Sequence, residues 1–154
     1  WLRAQRPVAV SVVGAGALPR RAGWRTLDGS TLGEEDLAAL LAPQSGPLAA
    51  RELTAGWRGG RTALWRRGPL PGGCAAPCRA RDAVELAVAM ADPGSARALA
   101  AALGVWLAQG LRGRPVGGGV WRLPGGSAGA VRAQGAVVRA ALAPDAALAR
   151  RLLG

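Results

Sequence analysis

At 154 residues and 15.5 kDa, with half the residues apolar, the chain has the material for one ordinary domain with a core. Twenty Arg oppose nine Asp and Glu, a net charge of +11; Lys, His, Asn, Ile, Phe and Tyr are absent, and six Trp supply every aromatic ring. These absences exclude His-based triads, imidazole proton shuttles, His metal ligands, Schiff-base lysines and the phosphate-loop lysine.

The β-branched run Pro7 to Val13 (PVAVSVV) predicts a strand stopped by Gly14. Gly14 and Gly16 after it invite a dinucleotide-binding reading. Against this, Pro19 holds the third-glycine position, and Arg20-Arg21-Ala22-Gly23 stand where an apolar helix should open. Thr31 with Glu34 fits a capping box. The acids Glu34, Glu35 and Asp36 suit the positive end of a helix continued by Leu37, Leu40 and Leu41. Pro43 predicts the end of that helix. A second helix opens at Pro47, runs through Leu48, Leu53 and Thr54, and stops at Gly56.

Arg61 to Arg66 alternates polar and apolar residues, as a half-buried strand does. A Pro/Gly/Cys loop from Gly68 to Cys78 leads to a second strand, Ala83 to Met90, with Val84, Leu86, Val88 and Met90 on one face. The two strands predict a hairpin. In the loop, Cys74 and Cys78 lack the Cys-x-x-Cys redox spacing, and two thiols alone cannot complete a zinc site. A loop-clamping disulfide in an exported protein and a pair of free thiols both fit them.

Asp92 as N-cap and Pro93 at the first helical position open a helix to about Gln109, with Leu99, Leu103 and Trp106 on one stripe. Strands are predicted at Val120 to Leu123, Ala130 to Ala133 and Ala136 to Leu142, the last two around a turn at Gln134-Gly135. Pro144-Asp145 starts a last helix with Leu148, Leu152 and Leu153 on its apolar face. This order predicts one α+β domain over residues 1–154: an antiparallel sheet built from hairpins, with helices packed on one face. Residues 7–56 supply a strand and two short helices, and 57–154 a repeated strand–strand–helix. The longest apolar stretch, Ala96 to Leu107, is broken by Arg97 and Gly104, so no membrane span is expected. The start at Trp1 rather than Met, without a signal-like opening, suggests a piece of a longer protein.

Several segments carry a resemblance. Leu32-Gly33-Glu34 leads a short helix, followed by Gly56-Trp57-Arg58-Gly59-Gly60-Arg61-Thr62-Ala63-Leu64-Trp65. The strand Val84 to Met90, the Ala-rich helix Ala96 to Leu103, and the closing hairpin with its Ala-Pro-Asp helix start, Ala136 to Leu153, come next. In this order they resemble the C-terminal region of a family of exported bacterial and haloarchaeal zincin-like proteins, over nearly the whole chain. The resemblance implies an upstream His-Glu-x-x-His helix with a downstream Glu, as in gluzincin metallopeptidases. A chain without His lacks that half. The chain departs from the family pattern in having Gly60 in place of an acid, Met90 in place of an aromatic, and no acids at Ala91 and Ser95.

The expected function is therefore a non-catalytic accessory or substrate-holding module, partnered by an upstream catalytic domain of the same polypeptide. No catalytic residue, cofactor or metal is expected in this part. An extracellular or cell-envelope location follows, with the cytoplasm left open. Glu34, Trp57, Gly59 and Arg61 are the candidate contact surface, and Cys74 and Cys78 the candidate disulfide. Each contact residue also has a plain structural reading: Trp57 and Trp65 as core rings, Gly59 as a turn, Arg61 as an exposed strand residue.

The alternative is an Arg-rich binding domain for nucleic acid or another anionic surface. Arg58, Arg61, Arg66, Arg67 and Trp65 form the best local cluster, since rings stack bases while Arg tracks phosphates. Strand alternation puts Arg61 and Trp65 on one face and Arg66 on the other. The scattered doublets Arg20-Arg21, Arg66-Arg67 and Arg150-Arg151 fit solvated faces, and the coding bias of a GC-rich bacterium explains Arg in place of Lys. A carboxylate pair among Glu34, Glu35 and Asp36 is disfavoured, because consecutive helical side chains diverge by roughly 100°.

Overall fold

The computed structural model describes residues 7–14, 18, 22–70, 72, 74–75 and 78–154. Seven strands form one antiparallel sheet: β1 (Trp24–Thr31), β2 (Trp57–Arg67), β3 (Asp82–Met90), β4 (Arg114–Gly117), β5 (Val120–Arg122), β6 (Ala128–Gln134) and β7 (Val137–Ala143). Their order is β1-β2-β3-β7-β6-β5-β4, so two meanders meet at β3 and β7, in register from Val84 opposite Leu142 to Ala89 opposite Val137. The helices are α1 (Glu34–Ser45), α2 (Pro47–Thr54), α3 (Pro93–Val105) and α4 (Ala146–Arg151). The α+β class and the antiparallel sheet expected from the sequence are what the chain adopts.

Side-chain alternation in β3 sorts the core into two layers. Leu86, Val88 and Met90 project to the face carrying α1, α2 and α3, where they pack with Leu37, Leu41, Leu99, Leu103 and Leu107. Ala83 projects to the other face, where Trp24 and Trp65 pack with Leu148, Leu152 and Leu153 at α4. That second face is paved with alanines, including Ala63, Ala130 and Ala141. Small side chains let α4 approach closely but bury little area each, so the two indoles contribute much of that layer's burial.

The helix starts follow their predicted caps. The Asp92 carboxylate accepts the N–H groups of Gly94 (2.7 Å) and Ser95 (2.9 Å) ahead of α3, and Asp145 accepts that of Leu148 (2.8 Å) ahead of α4. Beyond Val105 the helix widens into a π turn over Trp106–Gly110. Among the described residues no helix is long and apolar enough to cross a membrane.

Contrary to the sequence expectation, the helices do not share one face: α4 packs on the face opposite α1, α2 and α3, because the alanines there leave it room. Four local expectations are corrected as well. Residues 7–12 form no strand of the sheet; the segment is tied to it at separate points, with the Val8 N–H donating to the Arg58 carbonyl at 2.6 Å and Arg139 donating to the Ser11 carbonyl at 2.8 Å. The edge positions belong instead to β1 and β4, whose mostly exposed residues show no apolar alternation to read. Gly33, not Thr31, caps α1: Thr31 is still paired with Arg61 in the sheet, and the Gly33 N–H donates to Asp36 Oδ2 at 3.0 Å. Finally, α1 continues through Pro43, its last turn closed by bonds from Ser45 Oγ to the Leu41 carbonyl and from the Gly46 N–H to the Ala42 carbonyl, both 2.9 Å. Gly16, Pro19, Arg20, Arg21, Gly73 and Pro77 lie outside the described residues. The Gly14 N–H of the glycine pair donates to a carboxylate of this chain, Glu85, at 2.7 Å.

Candidate functional site

β2 opens with Trp57-Arg58-Gly59-Gly60-Arg61, in which the paired glycines project to opposite faces of the sheet. A Cβ at Gly59 would collide with the carbonyl of Val8. One at Gly60 would lie 2.6 Å from the Leu32 carbonyl oxygen and 3.2 Å from Trp57 Nε1. Only glycine allows both neighbouring segments to close over the strand this way. The Leu32 N–H, in turn, donates to the Gly60 carbonyl at 2.9 Å.

Between those segments lies a cleft of about 440 Å³, lined by Pro7 to Val10, Thr31 to Gly33, Trp57, Gly60 and Arg61. Val8 is 52% exposed and gives it an apolar rim. The Trp57 indole Nε1 is buried there and has no hydrogen-bond partner among the described residues. A buried N–H without an acceptor costs free energy, so it marks a place where a ligand carbonyl or carboxylate would be welcome. Arg61 also lines the cleft, is exposed, and forms no ion pair among the described residues. Among the described residues the arrangement offers one cation, one neutral donor and apolar walls. Of the residues singled out from the sequence, Trp57 and Arg61 share the cleft, Gly59 lies beneath Val8, and Glu34 is exposed one residue beyond the wall at Gly33.

The basic cluster is dispersed by the same geometry. Trp65 is buried with Trp24, and Arg67 lies over the Trp24 ring at 5.9 Å. Arg66 turns to the opposite face and forms a bidentate pair with Asp82, Nε to Oδ1 at 2.6 Å and NH2 to Oδ2 at 2.7 Å. The Cys78 N–H also donates to Asp82 Oδ2, at 2.7 Å. The Arg66 guanidinium is the main cause holding the Asp82 carboxyl below its ordinary range.

Cys74 and Cys78 are joined by a disulfide, with Cα atoms 5.7 Å apart. It clamps the loop that presents the Cys78 N–H to Asp82. Closing so short a loop is expected to contribute about 2 kcal/mol by chain entropy. Urea unfolding with and without dithiothreitol checks this; an unchanged midpoint after complete reduction would contradict it.

One buried group went unnoticed in the sequence. Glu85 sits within the apolar run of β3 and is fully buried. Its carboxylate accepts the N–H groups of Val13 and Gly14, and Arg139 NH1 lies 3.7 Å away. Burial pushes its pKa up, opposed by those two N–H groups and by Arg139. The only signal was an acid interrupting an otherwise apolar strand.

The sheet, its two covered faces and the donor-lined cleft define a small α+β domain built around a central antiparallel pair of meanders. The chain belongs to the family described as Domain of unknown function (DUF8575), which matches residues 20–153. No curated protein and no solved structure matches it.

Proposed function

We propose that this domain is a non-catalytic accessory module of a secreted zincin-like metallopeptidase-family protein, and that it holds peptide substrate for an upstream catalytic half. The observation that carries this reading is the Trp57 indole N–H, without a partner among the described residues, in a cleft also lined by the exposed Arg61 and by residues 7–10. The indole suits a peptide carbonyl, Arg61 an acidic side chain or terminal carboxylate, and the Val8 and Leu32 walls an apolar side chain. The Cys74–Cys78 disulfide supports an oxidising, extracellular setting.

Two measurements test the two halves of this reading. The coding region upstream of Trp1 is expected to encode a His-Glu-x-x-His segment and an export signal; a gene without that segment removes the zinc chemistry. In the complete protein, Arg61→Gln is expected to raise KM for an acidic peptide by about tenfold at unchanged kcat, the signature of lost ground-state binding. An unchanged KM would sink the holding role.

A further inference from the structure

The helix-bearing face of the sheet is incompletely covered. α1 and the π turn leave a strip across β2, β3 and β7 in which Leu64, Val84 and Leu142 remain only half-buried. Two concavities lie on this strip. One, about 260 Å³, runs beneath α1 and the π turn against Leu40, Leu86, Trp106 and Leu107. The other, about 230 Å³, is walled by Leu111 and Leu123 and reaches Arg79, Asp82 and Ser127. Val84 and Leu142 line both, so the two are halves of one groove.

The groove is polar at one end only. Under the helices its walls are almost wholly apolar. Asp36 at its margin is occupied by the Gly33 N–H. At the opposite end Ser127 is 6% exposed, and its Oγ has no hydrogen-bond partner among the described residues. A hydroxyl in that position calls for a partner from a ligand. Arg79 supplies an exposed guanidinium at the same mouth, with one N–H on the Pro124 carbonyl at 3.1 Å. The Asp82 carboxylate does not offset this charge, because Arg66 and the Cys78 N–H already occupy both its oxygens.

From this polarity we infer that the groove is a binding site for a single-chain amphiphile with a carboxylate head, a fatty acid. Its alkyl tail lies along Val84 and Leu142 beneath the helices, and its carboxylate accepts from Ser127 Oγ and pairs with Arg79 at the open end. A concave, one-ended site of this kind fits a slender molecule better than the broad face of a protein partner. The site borders the Trp57–Arg61 cleft at Leu32, which lines both, but it contains neither Trp57 nor Arg61 and does not depend on the function proposed for them.

Titration calorimetry of the full chain with dodecanoate tests the assignment. The expected result is one molecule bound per chain, affinity lost in Val84→Trp, which fills the groove, and weakened at least about tenfold in Arg79→Glu. Arg79 is exposed, so that variant keeps the test sharp even where Val84→Trp folds poorly. Dodecyltrimethylammonium, with the same tail and the opposite head, is expected to bind at least about tenfold more weakly than dodecanoate. Arg61→Gln is expected to leave dodecanoate affinity unchanged, which separates this site from the peptide cleft. The inference is overturned by absence of binding, by equal affinity for the cationic amphiphile, or by sedimentation with phosphatidylglycerol vesicles in place of dodecanoate binding. Self-association abolished by Val84→Trp would overturn it equally, making the strip an interface between copies.

Discussion

Replacing Glu85 by Ala is expected to lower the free energy of unfolding by about 3 kcal/mol and to release residues 7–14 from the sheet. The side chain is fully buried and accepts two backbone N–H groups, those of Val13 and Gly14, with Arg139 beside it. Without it, both backbone donors lose their acceptor and the half-buried Arg139 guanidinium loses its neighbouring counter-charge. Hydrogen exchange at Val13 and Gly14 reads the local event and urea unfolding the global one. Exchange unchanged at both amides would contradict the tether. The same carboxyl sets a pH dependence. Its pKa in the folded chain is raised above the ordinary 4.5, so the folded state holds the proton more tightly than the unfolded. The stability this contributes is present at low pH and is lost as pH rises through the raised value. Wild type is therefore expected to show a declining component above about pH 4.5 that is absent in Glu85→Gln.

Asp82→Ala is expected to be the other severe change, lowering Tm by about 10 °C. It removes both anionic oxygens from Arg66, whose side chain is only 10% exposed, and leaves the Cys78 N–H without its acceptor. Replacing both partners by apolar residues, Asp82→Leu with Arg66→Met, is expected to recover much of the loss, because the cost lies in the orphaned charge. Thermal unfolding of the two variants distinguishes these effects. A double variant as unstable as the single one would contradict this account. Here the pH sign is reversed. The pKa of Asp82 lies below the ordinary 3.8, so its contribution is present above that value and disappears as pH falls through the depressed one. Acid weakens the Asp82 pair, whereas rising pH costs stability at Glu85 because its buried carboxyl must ionise.

These two acids also mark how much could be read from the chain alone. Elements with a strong local signal were legible: β3 by its alternation of Val84, Leu86, Val88 and Met90, and α3 and α4 by the Asp92 and Asp145 caps. The edge strands β1 and β4 were not, because an exposed strand has no buried face to impose a pattern. The run from Pro7 to Val13 carries a strand-like composition, yet it is held point by point by the Arg58 carbonyl, Arg139 and Glu85. Those are long-range contacts, and composition does not encode them. For the same reason Trp57, Gly59 and Arg61 could be singled out, while the segment that completes their cleft could not. The groove along Val84 and Leu142 was invisible for a different reason: it is defined by where the helices do not reach.

The Trp57 indole N–H gives the most direct test of the holding role. In a nitrogen–proton correlation spectrum, each of the six Trp residues contributes one indole signal. Titration with the acidic dipeptide acetyl-Glu-Leu-amide is expected to move the Trp57 signal, identified by its loss in Trp57→Phe, in a saturable manner. The response is expected to weaken about tenfold in Arg61→Gln. A Trp57 signal that stays in place at millimolar peptide, or moves equally in Arg61→Gln, would contradict substrate holding at this cleft.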